Sequence, residues 1–219
     1  CNDQILNFDD KLEDGFRARF SREILLFDRS VDSALCEFVG RMRARLSSRE
    51  AQGFTVAKRV QMIAKEVETA FGGPPAESVR IKARLTRRID EGPVPPEDFP
   101  IGALIERPRE RKGAGICRHR SLLFKFLCDT LEITKCAVLN GIVAPEKIEI
   151  IKRRPEEDGG VVEDHMWNVV KIDGKAYIMD CMNSADRLSS RDRILTQSQG
   201  ILAYKRIGGR AGLESLASF

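Results

Sequence analysis

The chain has 219 residues, 42% of them hydrophobic and 32% charged, with 37 basic against 33 acidic side chains and a net charge of +4. A chain of this length buries a substantial core in one or two domains, and no apolar run approaches the roughly 20 residues that span a bilayer. Neither a membrane partner nor a basic-then-apolar signal peptide is expected.

The chain opens on Cys1 rather than methionine. That reads as a fragment boundary or a processed end, in preference to a nucleophilic terminus. The cysteines at 1, 36, 117, 128, 136 and 181 form no CxxC pair. They read as reduced thiols, mostly buried as small apolar side chains, which suits the cytosol. A zinc site would have to draw on Cys117, His119, Cys128, Cys136, His165 and Cys181. Their spacings match no finger or ribbon, so neither metal nor another cofactor is expected.

Residues 1–95 read as a helical N-terminal region. An irregular apolar pattern suggests a first helix over Phe16–Phe27. Leu35, Phe38, Val39, Met42 and Leu46 recur at spacings of three and four behind Ser30 or Asp32 as N-cap. The run 46–53 is a connection with turn chemistry. A helix capped by Thr55 then carries Val56, Val60, Ile63, Val67 and Phe71 and stops at Gly72-Gly73. Pro74-Pro75 opens a more basic helix through Ile81, Leu85 and Ile89. Prolines at 93, 95, 96, 100 and 108 predict a long loop reaching Gly115.

Residues 96–219 read as a second unit. From Cys117 a helix bearing Leu122, Leu123, Phe124, Phe126, Leu127 and Leu131 is apolar around most of its circumference, hence buried. A β-prone run follows over 135–141, then a charged, glycine-containing segment over 144–164. Two runs, 165–172 and 175–182, flank Asp173-Gly174, a strong hairpin signal. The tail from Ser189 is expected to form one or two surface helices.

Two basic stretches stand out, Arg107–Lys112 with Arg118 and Arg120, and Lys152–Arg154. Acidic residues interrupt the first and neither contains aromatic residues that could stack on bases, so both read as solvated loops and no nucleic-acid partner is expected.

The chemistry concentrates in three residues. If Asp173 and Gly174 are the turn, Ile172 faces Lys175, and counting outward puts Trp167 opposite Asp180 and His165 opposite Met182. Alternation then groups His165, Trp167 and Val169 with Ile178, Asp180 and Met182, making Asp180 the diagonal neighbour of His165. A carboxylate there would hold the imidazole in one tautomer and stabilise its protonated form. The alternative is a histidine and an aspartate at a strand end, each satisfied by solvent. Cys117 would occupy the first turn of its helix, where backbone N–H groups and the helix dipole favour thiolate and an oxyanion. The chain has just one other histidine, His119. It lies about 200° around the helix axis from Cys117 and cannot reach back to it. Its expected role is structural, as a hydrogen bond under the loop or packing beside Leu123 and Phe126.

Cysteine at a helix start, then a strand, then His165-Met-Trp167-Asn, then Asp180 on the far arm of a hairpin is similar to the transglutaminase-like superfamily of papain-like cysteine enzymes. Phe99-Pro-Ile-Gly-Ala-Leu104 and Gly115-Ile-Cys-Arg-His-Arg-Ser-Leu-Leu-Phe-Lys-Phe126 more closely resemble the N-terminal regulatory domain of plant Raf-like protein kinases of ethylene and disease-resistance signalling. The first likeness implies an α+β papain-like fold, with the Cys117 helix packed on a small antiparallel sheet. It also implies a Cys117–His165–Asp180 triad acting on an amide carbonyl of a protein or peptide substrate, with Trp167 either in the site wall or simply in the core. The second implies a regulatory, non-catalytic module beside a kinase, and the helical N-terminal region is a candidate surface for a protein partner. The retained triad positions favour activity.

Overall fold

The computed structural model describes residues 6–20, 24–73, 98–105, 115–145, 163–181, 194–195 and 202–206, with the backbone alone at 140–145, 163–165, 194–195 and 202–206. It is a mixed α+β structure with two small sheets. One helix, Cys117–Thr130, passes between the sheets.

The first sheet corrects the expected helix over Phe16–Phe27. There β1 (Phe16–Arg19) and β2 (Ile24–Phe27) form an antiparallel hairpin, and β3 (Asp98–Pro100) lies parallel to β2 on its other side. As the central strand, β2 is buried at all four residues. A continuous apolar run of that kind fits strand and helix periods alike. The Asp14 carboxylate closes the hairpin by accepting from the Arg29 backbone N–H (2.9 Å) and its guanidinium.

Helix α1 (Ser33–Leu46) buries Leu35, Phe38, Val39, Met42 and Leu46 on one face, and Asp32 is its N-cap. Helix α2 (Val56–Ala70) is capped by Thr55, whose Oγ1 accepts from the Lys58 N–H (3.2 Å). It ends where Gly72 and Gly73 take positive φ and the Gly73 N–H returns to Glu68 O (2.9 Å), a glycine-dependent closure. The expected basic helix after Pro74 lies outside the described residues. The segment expected to be loop up to Gly115 contains β3 and a short helix α3 (Gly102–Ile105). Both are held from outside the segment. Ile101 N–H donates to Leu26 O (3.1 Å) and Gly102 N–H to Asp32 Oδ2 (2.7 Å), so local sequence had little to announce them.

Helix α4 (Cys117–Thr130) is buried at every residue from His119 to Cys128. It packs on α2 and on the second sheet, and the Phe126 ring lies 5.4 Å from Phe27 of the first sheet. The second sheet is antiparallel throughout, in the order β7-β6-β5-β4-β8. Its strands are β4 (Cys136–Pro145), β5 (Glu163–Ile172), β6 (Lys175–Met179), β7 (Ile194–Leu195) and β8 (Leu202–Arg206). Strands β5 and β6 pair as Ile172↔Lys175 through Asn168↔Met179, the register counted from a tight Asp173-Gly174 turn. Both turn residues have positive φ, 50° and 77°, as a type I′ turn requires. In the tail, β7 and β8 stand within the stretch expected to be surface helix, and the remainder of that stretch lies outside the described residues. These two strands complete the two edges of a sheet whose centre was all that its own sequence periodicity could show.

One hydrophobic cluster draws Leu25, Phe27, Leu35, Val60 and Phe71 together with Leu123, Phe126, Val170 and Met179. A smaller one on the far face of the second sheet joins Phe8, Ala137, Leu139, Trp167, Val169 and Ile178. Leu6 pairs with Val138, adding the N-terminal segment to the edge of β4, and both side chains pack in the main cluster.

Asp32 bridges two layers: one carboxylate oxygen caps α1 at Leu35 N–H (3.0 Å) and the other receives Gly102 N–H. Asp32→Ala should lower unfolding free energy by about 2 kcal/mol, the sum expected for a lost cap and a buried donor left unpaired. A β-carbon at Gly102 would meet that carboxylate at 1.9 Å, so Gly102→Ala should destabilise too. In urea denaturation the double variant should lose clearly less than the sum of the two.

Candidate active site

The turn entering α4 is built around Gly115. Its φ of +80° suits glycine, and a β-carbon there would come to 2.4 Å from Phe71 Cδ1, so the backbone lies flush on that ring. Ile116 is the extended N-cap residue and Cys117 the first helical residue. Cys117 is half-buried, whereas Cys128, Cys136 and Cys181 are buried. Burial pushes the Cys128 and Cys181 thiols well up from their ordinary range, Cys128 reinforced by its contact with Cys136 and Cys181 by the charge of Asp180. That separates the inert core thiols from Cys117, which sits where a helix favours thiolate.

His119 is buried, and its Nδ1 accepts the Ile116 backbone N–H at 3.0 Å. This side chain at the third helical position reaches back to the N-cap as in a capping box, a structural role.

Arg120 departs most from its expected place. The sequence groups it with a solvated basic stretch, yet its side chain is fully buried. Its Nε donates to Gly115 O (3.2 Å), Nη1 to Cys181 O (3.2 Å) and Nη2 to Gly73 O (3.0 Å), while the guanidinium lies 5.3 Å from the centre of the Phe71 ring. Burial pulls its pKa down to about 10, against the opposing pull of Cys181 and Asp180, so it remains charged at neutral pH. Arg118 instead lies over Phe20, 5.2 Å from the ring centre.

The partners expected for Cys117 lie on the hairpin. His165 stands in β5 opposite Gly141, and its imidazole lies outside the described side chains. Asp180 follows the last residue of β6 and is 7% exposed. It lies between Met179 and Cys181 of the main core, and its charge acts on both Arg120 and Cys181. Trp167 is itself buried and packed with Phe8, Ala137, Leu139, Val169 and Ile178, a core position.

Two hydrogen bonds tie these segments to the start of α4. Ser121 Oγ donates to Met166 O (2.9 Å), next in chain to His165, and Arg120 Nη1 reaches Cys181 O, next to Asp180. Asn168 Nδ2 adds a bond to Ser121 O (3.0 Å). The opening turns of α4 are thereby fastened to the chain neighbours of both hairpin residues. Sequence reasoning missed these three ties. Their signal was present in Ser121 and Arg120, polar residues inside a largely apolar helix. Both basic stretches over 107–112 and 152–154 lie outside the described residues. Among the described residues, no cluster of three or more His, Cys, Asp or Glu could hold a metal ion. No described helix is long and apolar enough to cross a membrane.

A family profile described as EDR1/CTR1/ARMC3, peptidase-like, matches residues 10–188, which span both sheets' central strands and all three candidate residues. The chain belongs to the EDR1/CTR1/ARMC3 peptidase-like family. Family membership agrees with the likeness carried by the Cys117 helix and the segment from Phe99. The chain is also similar to Probable serine/threonine-protein kinase SIS8 of Arabidopsis thaliana, 28% identical over 177 residues. The match covers 78% of this chain and 15% of that kinase, so the relationship is to one domain of a much longer protein.

Two outcomes follow from burial. Under native conditions at neutral pH, iodoacetamide should modify Cys36 and Cys117 and spare Cys128, Cys136 and Cys181 until denaturant is added, as read by peptide mass spectrometry. His119→Ala should cost about 1 kcal/mol in denaturation through loss of the cap, with His119→Gln restoring part of it.

Proposed function

We propose that this domain is a transglutaminase-like, papain-like cysteine enzyme that cleaves or transfers the acyl group of an amide in a protein or peptide. The observation that carries the reading is the fastening of the Cys117 turn to the neighbours of His165 and Asp180, by way of Ser121 and Arg120. The Cys117 thiolate attacks the amide carbonyl, and N–H groups of the first helical turn hold the oxyanion. His165, oriented by Asp180, gives its proton to the leaving amine, so a thioester forms as the C–N bond breaks. Water or a second amine, deprotonated by His165, then takes the acyl group and releases the thiol. The membership in a peptidase-like family is consistent with this chemistry.

A second reading is favoured by the kinase relative: a non-catalytic regulatory domain that uses the fold, through its N-terminal region, to bind a protein partner. Thiol reactivity separates the two. In an enzyme, Cys117 should react with iodoacetamide at neutral pH much faster than the other internal cysteines. His165→Ala and Asp180→Asn should slow it, by about tenfold for each unit by which the thiol pKa rises. Reaction of Cys117 at the rate of the exposed Cys36, unchanged in both variants, would support the regulatory domain instead.

A further inference from the structure

Arg120 takes no direct part in the chemistry above, yet among the described residues it is the largest fully buried side chain. Its three nitrogens donate to three separate stretches of backbone: Gly115 before Cys117, Cys181 after Asp180, and Gly73 at the end of α2. Each of these three acceptors is a main-chain carbonyl, so these bonds fix where the backbone runs and are independent of neighbouring side-chain rotamers. The planar guanidinium sets the three bonds in one rigid fork, which an ammonium on a flexible stem cannot copy. Phe71 completes the assembly, with Gly115 pressed against it and the Arg120 guanidinium within cation–π range of its face.

We infer that Arg120 is the positioning residue of the site, a buried clamp that sets the Cys117 turn against the Asp180 corner and couples both to the end of α2. The inference rests on the cysteine-enzyme reading for its catalytic consequence, but the clamp itself is a statement about backbone and can be tested alone. A residue that merely fills the core would, when changed, lower stability everywhere alike. A clamp loosens three particular segments and alters the thiol that one of them carries.

The test uses the whole chain, wild type and the variants Arg120→Lys, Arg120→Met and His165→Ala. It reads amide hydrogen exchange by segment and the pH profile of Cys117 alkylation. In the wild type, residues 71–73, 115–117 and 179–181 should open as one unit in native-state exchange. In Arg120→Lys, which keeps the charge, exchange at these segments should quicken by about tenfold or more, the scale of one lost charge-assisted bond, while β1–β3 stay protected. The alkylation profile should move to higher pH, further in Arg120→Met than in Arg120→Lys. Independent opening of the three segments in the wild type would overturn the clamp even if neither variant folds. So would unchanged exchange in Arg120→Lys, or a uniform loss of protection. An alkylation profile altered by His165→Ala but untouched by Arg120→Lys would overturn the positioning role and leave the enzyme reading standing. A wild-type profile indifferent to His165→Ala would sink the enzyme reading, while exchange still decides the clamp.

Discussion

A guanidinium cannot be taken out of water at an effective cost of several kcal/mol unless its N–H groups find acceptors of good geometry. Arg120 meets that condition with three main-chain carbonyls that are distant in sequence. The consequence runs both ways. The carbonyls supply what the buried charge needs, and the charge obliges the turn before α4, the end of β6 and the end of α2 to lie within one side chain's span. Moving any of the three would strand a donor in a dry interior. The geometry around Cys117 is therefore constrained by electrostatics as well as by packing.

The same logic recurs one and a half turns further along α4. Lys125 is fully buried, and its Nζ donates to Cys136 O (2.6 Å) and pairs with Asp129 (3.0 Å), which in turn accepts the Leu12 N–H (2.9 Å). Burial raises the Asp129 carboxyl, and the Leu12 N–H and Lys125 oppose that rise. Arg120 and Lys125 sit on a helix buried at every residue from His119 to Cys128, so neither can turn to solvent without leaving its layer. Apolar contacts with Phe27, α2 and the second sheet give α4 its place between layers, and the two cations give it its register. Ser121 and Asn168 extend this hold to β5, the strand that bears His165.

The parts of this arrangement that follow from neighbours in sequence were legible. The spacing of Leu35, Phe38, Val39, Met42 and Leu46 marks α1, and Thr55 marks the start of α2. Asp173-Gly174 sets the β5–β6 register because a two-residue I′ turn leaves no freedom in counting. The parts that depend on distant partners were not legible. The apolar run of β2 becomes a strand only because β1 and β3 flank it, and β7 and β8 exist only as edges of a sheet built elsewhere in the chain. Arg120 is the clearest case. An arginine inside Arg-His-Arg reads as solvated, since its burial depends on carbonyls at 73, 115 and 181 that no local pattern connects. For the candidate site, Cys117 at a helix start and Asp180 at a hairpin end could be found by period and counting. Their fastening to one another through Arg120 could not.

The central claim is that Cys117, His165 and Asp180 act as one ionisable unit in a peptidase-like domain, and the two histidines of this chain make it directly measurable. NMR titration of the imidazole resonances gives His165 and an internal reference, His119, which is held by the Ile116 N–H. If the thiolate faces the imidazolium, Cys117→Ser should lower the His165 pKa by about one unit or more, and Asp180→Asn should lower it as well, with His119 unmoved. A His165 titration identical in wild type, Cys117→Ser and Asp180→Asn would contradict the account.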